Sequence, residues 1–346
     1  MRRRLTGWPA RLAPHLLFLI PELLIAAGPF VIETVGGASA RQRFRMPDFF
    51  YGGQALIEGV MMRGRTSVAM SVRPPSGVIR TISEPLPDAL RAANRWLKIP
   101  LLRGVLVLYE TLVIGTRMLM RSAAIAADEE DVELSRGTII GAMVFSLGFA
   151  VALFFLLPLF LSTFAEGATD SDFAANAVEG LIRLVLFVAY IALIGMMSDI
   201  KRVFAYHGAE HKAIHAHEAQ RPLTPDEVDR FSTAHTRCGT TFILIVVVIS
   251  IFFFSLVPRA GVPLPLLFAS RIVLVPVIAA VAYELVRFGA RHYGNWIVRA
   301  IYAPGLWLQS LTTRRPDHAM LEVSIASLET CLADDRAAAA GSAPAA

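Results

Sequence analysis

The sequence predicts an all-α polytopic membrane protein of about four transmembrane helices, with a small N-terminal cytoplasmic region that contains a β-hairpin. Three observations carry this expectation. Of 346 residues, 55% are hydrophobic and 18% charged, a balance foreign to soluble domains of this length. The apolar residues also stand in blocks: 137–165 and 238–258 hold no charged residue, and each exceeds the ~20 residues that cross a hydrocarbon core of ~30 Å. Finally, residues 67–73 and 78–82 alternate about the turn Pro74-Pro75-Ser76-Gly77, a hairpin signature.

Two further spans complete the four. One runs from Leu184 to Ser198 and extends backwards across Arg183; the other runs from Gly261 to Tyr283 and is interrupted by Arg271. Both arginines are expected to snorkel to headgroups from near the ends of their segments. The connection 164–176 carries Glu166, Asp170 and Asp172 and no Lys or Arg, whereas 200–237 carries Lys201, Arg202, Lys212, Arg221, Arg230 and Arg237. By the positive-inside rule the second connection is cytoplasmic, as are the arginines after the last span.

The chain accordingly divides into six parts: an N-terminal extension (1–45), a glycine-rich loop and hairpin region (46–99), an amphipathic helix with an acidic connector (100–136), the membrane bundle (137–285) with its cytoplasmic loop 200–238, a cytoplasmic segment (286–332) and a disordered tail (333–346). The extension is signal-like or interfacial, or lies upstream of a true start at Met46. The stretch from Tyr51 to Gly64 reads as a close-packed loop. In 100–120, Arg103, Glu110 and Arg117 recur every seven residues, which marks one polar stripe on a helix lying on the membrane or against the bundle. The net charge of +5 reports orientation, since no basic-aromatic tract points to nucleic acid. Cys238 and Cys331 imply no disulfide framework.

Chemistry concentrates in the 200–238 loop. His207 and His211 are four residues apart, so a helix puts both imidazoles on one face, and Glu210 completes an H-x-x-E-H string, the inverted zinc-peptidase pattern. In that pattern the two His hold zinc and the Glu takes a proton from water. The ordinary alternative is a solvated histidine cluster, and the nearby His215 and His217 raise the odds of accidental matches. His235 and Cys238 end the same loop and favour one metal site. All four residues would close a tetrahedron, whereas any three would leave a position for water. Glu284, at the inner end of the last span, and Glu58, the only acid in the glycine-rich motif, are further candidates, each weighed against pairing with an arginine: Arg287 for Glu284, Arg63 or Arg65 for Glu58. No acidic pair or mid-depth basic residue in the spans suggests a transporter.

The strings 51–61, 200–212, 235–242 and 304–309 together resemble the YqhQ-like family of uncharacterised bacterial membrane proteins described as predicted metal-dependent enzymes. The resemblance extends from about Met46 to Leu332. It implies a multi-pass protein of the bacterial inner membrane and a metal role for His207, Glu210, His211, His235 and Cys238, but it supplies no substrate. Two functions follow as expectations. One is a zinc-dependent hydrolase at the cytoplasmic membrane face, with Glu210 as general base. The other is a non-enzymatic scaffold or assembly factor that docks a partner and uses the metal only as a staple.

Overall fold

The computed structural model describes residue 49 and residues 51–86, 99–127, 136–164, 171–259 and 261–341. The N-terminal extension 1–45 and the acidic connector 128–133 lie outside the described residues. Four strands, β1 (Gly52–Leu56), β2 (Gly59–Arg63), β3 (Ser67–Val72) and β4 (Arg80–Pro85), form an antiparallel meander in sequence order. The β3–β4 hairpin matches the expectation from the Pro/Gly turn. The Tyr51–Gly64 stretch does not: it is the β1–β2 hairpin, closed by Ile57 and Glu58 with Glu58 at φ 52°.

Alternation is absent from β1–β3 because both faces of this sheet are covered. Ala55, Val60, Met62 and Ala69 pack on one side with helices α5 (Ser198–Glu218) and α10 (His318–Gly341). Leu56, Met61, Met70 and Val72 pack on the other with α1 (Leu102–Ala126). Only β4, at the outer edge, alternates between half-buried and exposed residues.

The seven-residue stripe of α1 is its docking seam. Arg103 pairs with Glu284, Glu110 with Arg63 at 2.7 Å, and Arg117 with Glu84 at 2.9 Å. Glu284 is thereby held by Arg103 and the Leu101 N–H. Glu58 is held by Arg202. Neither acid pairs with the partner weighed for it from sequence, Arg287 or Arg63 and Arg65 respectively, and neither lines the candidate site described below.

Among the described residues, three helices are long and apolar enough to cross a membrane: Val144–Thr163, Asp172–Ile194 and Leu264–Gly289. The first belongs to α2 (Arg136–Val151), which passes through a π-helical turn, Ala152–Leu156, into α3 (Leu157–Thr163). Pro158 in the first turn of α3 accounts for that turn, since proline offers no N–H to the ladder. The other two are α4 (Asp172–Ile194) and α8 (Leu264–Arg291). A short helix α6 (Pro225–Val228) precedes α7 (Gly239–Ser255), a fourth apolar helix of 17 residues. At ~1.5 Å per residue it spans ~25 Å. Leu181, Val185, Val248, Phe252 and Val273 on α4, α7 and α8 are exposed, a surface suited to lipid and unsuited to water.

Arg183 and Arg271 do not snorkel. Both are fully buried on Glu179, which also receives Arg259. Asn176, Ser162, Ser250, Ser270 and the Phe154 carbonyl accept further guanidinium bonds. The bundle therefore holds an internal charge network that residue-by-residue inspection of the spans missed. On α4 it occupies the first half, from Asn176 to Arg183.

After α9 (Trp296–Thr312), α10 continues to Gly341, so residues 333–341, expected to be disordered, are helical. Asp335 on α10 accepts bonds from the Tyr51 hydroxyl (2.8 Å), the Arg65 N–H (2.9 Å), and the Thr66 N–H (2.9 Å) and hydroxyl (2.7 Å). Partial burial would raise its pKa, but these donors outweigh that and hold the carboxyl below its usual range. A depressed carboxyl pKa contributes stability above the unfolded value of about 3.9, which is lost as pH falls through the folded value. Asp335→Asn should therefore lower the unfolding temperature at pH 7, and the gap from the wild type should close in detergent-solubilised protein near pH 3. An equal gap at both pH values would contradict this linkage.

Candidate metal centre

The 200–238 segment opens not as a loop but as the continuous helix α5. Its alanines Ala205, Ala209, Ala213 and Ala216 face the sheet and α10, which places His207, His211 and His215 one turn apart on another side. Gly208 lets the connection after α9 approach: a Cβ there would lie 2.2 Å from the Arg314 carbonyl. Gly208→Ala should therefore displace that connection and cost about 1–3 kcal/mol. A chemical-denaturation midpoint unchanged in Gly208→Ala would show the contact to be pliable.

Two of the four predicted ligands on α5 and one at the start of α7 converge. One ligand atom from each of His207, His211 and Cys238 lies within 4.8 Å of the others, and all three residues are buried. His207 Nε2 stands 3.2 Å from Cys238 Sγ, near the ~3.5 Å expected between N and S ligands of tetrahedral zinc. His207 Nδ1 bonds the Thr312 carbonyl at 2.9 Å and His211 Nδ1 the Thr233 carbonyl at 2.5 Å. Carbonyls accept only, so both Nδ1 atoms carry the proton and both Nε2 atoms present a lone pair, that of His207 towards Cys238 Sγ, the arrangement metal-ligating histidines use. Burial, then the His207 and His235 imidazoles, push the His211 pKa well down and keep it neutral. Cys238 is the N-cap of α7, where the helix dipole favours an anionic sulfur. The residues present therefore fit a divalent ion such as zinc, which these three side chains would hold.

His235 belongs to a second group, with His215 and Glu218. The Arg237 guanidinium binds Glu218 and lies 3.0 Å from His235 Nε2. Gln309 clamps the His235 backbone, accepting its N–H at 2.8 Å and donating to its carbonyl at 2.7 Å. This clamp and the Thr312 carbonyl were not anticipated, although Gln309 ends one of the strings carrying the family resemblance. His217, by contrast, stacks edge-on against Tyr51.

Glu210 joins His207, His211, His235 and Cys238 in the lining of one cavity, whose opposite wall is β1 with Arg63 and Glu110. Burial, with a smaller push from the neighbouring Cys238, moves the Glu210 carboxyl up to about 7, opposed by the adjacent His207 ring and by the Gly53 N–H. Gly53 has no side chain for a spatial reason: a Cβ would meet the Met61 carbonyl at 2.4 Å and Glu210 Cγ at 2.9 Å.

Comparison with known proteins places these features in a family. "Uncharacterized protein YqhQ" of Bacillus subtilis (strain 168) is 34% identical over 297 residues, covering 82% of this chain and 92% of that protein. No solved structure matches. The family described as "Protein of unknown function (DUF1385)" matches residues 99–334, and with this relative it shows that the chain belongs to the DUF1385, YqhQ-like family.

Proposed function

We propose that this protein is a membrane-embedded, metal-dependent hydrolase whose site opens at the cytoplasmic end of the helix bundle. The observation that carries the reading is the meeting of His207, His211 and Cys238 in a cavity that also holds Glu210. The basic residues of 200–237 support the cytoplasmic orientation, and the outward apolar side chains support contact with the lipid bilayer.

A divalent ion in such a site acts as a Lewis acid and makes water a nucleophile near neutral pH. Through their Nδ1–H bonds to carbonyls, His207 and His211 keep their Nε2 atoms aimed at one point. Glu210 is the residue suited to hold a proton. It takes one from the attacking water as the new bond forms to the substrate carbonyl carbon, and returns it to the leaving group as the old bond breaks. Gly53 N–H steadies the carboxylate oxygen between these transfers.

A scaffold or assembly factor with a structural metal staple is the competing reading. It draws on His235, whose ring centroid lies 5.3 Å from that of His211, where a modest rearrangement would supply a fourth ligand and close the site. Cys238→Ser separates the two. A closed staple predicts a lower unfolding temperature as the dominant effect; the hydrolase predicts weakened metal retention and lost turnover in protein that stays folded.

A further inference from the structure

We infer that the free edge of β1 binds an extended peptide segment by strand addition, which makes a polypeptide the substrate of the proposed hydrolase. The inference rests on the hydrolase reading for its chemistry and on two separate observations for its substrate class.

The first observation is the sheet register. Among the described residues, β1 is the terminal strand of the meander and pairs with β2 alone, through Gly52↔Arg63, Gly53↔Met62, Gln54↔Met61, Ala55↔Val60 and Leu56↔Gly59. Arg73 N–H donates to the Glu58 carbonyl, so Glu58, Val60 and Met62 turn their backbone groups towards β3, and Gly59, Met61 and Arg63 turn theirs towards β1. Opposite them, Leu56, Gln54 and Gly52 face β2. Gly53 and Ala55 therefore direct their N–H and C=O groups away from the sheet. Residues 51–55 all line the cavity that holds Glu210 and the three clustered ligands. An edge strand left open is ordinarily blunted by charge, proline or a covering element. This one instead borders the candidate catalytic cavity, and Gly53 N–H already reaches Glu210.

The second observation is Gln54. Gln54 is 3% exposed and lines the same cavity, yet among the described residues neither Nε2 nor Oε1 has a hydrogen-bond partner. It is pressed against Gly115 of α1, where a Cβ would lie 2.3 Å from Oε1. A buried carboxamide without partners is costly and calls for a reason. A carboxamide offers one acceptor and two donors, the complement of a peptide group's N–H and C=O. Beside an open strand edge, that pairing supplies both parts of β-strand addition: main-chain bonds for affinity and a side-chain contact for register. Hydrolysis of the bound amide then follows the proton path given above, with water's oxygen added to the carbonyl carbon, the C–N bond broken and the proton delivered to the leaving nitrogen.

The probes are acetohydroxamate and a capped Leu-Ala-Leu hydroxamate, titrated against the zinc-loaded full chain in detergent. The peptide should bind at least roughly tenfold more tightly than acetohydroxamate, and N-methylation of its amides should remove the gain. Gln54→Leu and Ala55→Pro should each lose most of the gain at unchanged zinc content and unchanged acetohydroxamate affinity. The proline removes no ladder bond, because Ala55 N–H points outwards. Equal affinities for both probes in the wild type, or a gain that survives in both variants, would overturn the inference and leave the metal reading standing. Should zinc and acetohydroxamate both fail to bind, the metal reading falls, and hydrogen exchange decides the peptide site separately. Leu-Ala-Leu amide at millimolar concentration should slow exchange at Gly52–Leu56, and an unchanged rate there would overturn it.

Discussion

Glu179→Leu is expected to destabilise the protein by about 3–5 kcal/mol, the cost of breaking a buried ion pair from one side. Glu179 is fully buried and accepts from Arg183 at 2.5 Å, Arg271 at 2.6 Å and Arg259 at 3.3 Å. Arg183 and Arg271 also lie over the Phe254 ring, 4.7 Å and 4.6 Å from its centroid. Without the carboxylate, the Arg183 and Arg271 guanidiniums keep only neutral acceptors among the described residues in a low-dielectric interior. The network joins α4 to α8 and to the turn after α7, so its loss loosens the bundle as a whole. Unfolding in detergent checks this, and Glu179→Leu/Arg271→Leu should recover part of the loss by removing one stranded charge. A single variant within about 1 kcal/mol of the wild type would show that water or lipid reaches these arginines.

Glu210→Gln is expected to abolish turnover while leaving the bound metal in place. Glutamine keeps an oxygen for the Gly53 N–H and nearly the same volume, but it cannot take a proton. A positioned general base contributes about 10²–10⁴ in rate, so hydrolysis of a peptide library followed by mass spectrometry should fall by that factor. Zinc content, measured in parallel, should not change. A Gln variant that cleaves like the wild type would remove Glu210 from the chemistry and favour the structural-staple reading.

Much of this was legible in the sequence where one segment carried its own signal. Charge-free runs announced the apolar helices, Pro74-Pro75-Ser76-Gly77 announced the β3–β4 hairpin, and the i, i+4 spacing of His207 and His211 put both rings on one face. The β1–β2 hairpin was hidden because α1 and α5 cover both faces of the sheet, which erases alternation. Arg271 looked like an isolated end-of-span charge because Glu179, 92 positions away, meets it only when α4 packs near α8; the i, i+4 pair of Glu179 and Arg183 did carry a local signal, but Glu179 fell outside the span assigned from sequence. Cys238 was legible as a partner of His207 across 31 positions only because the chain returns to its point of departure. What separates His235 from that set is the Gln309 clamp on its backbone, a contact across 74 positions with no local signature. Gln54 likewise carries no motif; only its burial without partners marks it.

Metal content of the purified full-length protein tests the central claim most directly. After expression with zinc and removal of loose metal, the wild type should retain close to one equivalent of zinc per chain, Glu210→Gln should retain the same, and His207→Ala and His211→Ala should retain almost none while remaining folded. Wild-type protein that is folded and active without metal, or that holds zinc equally well after both histidine substitutions, would contradict the account.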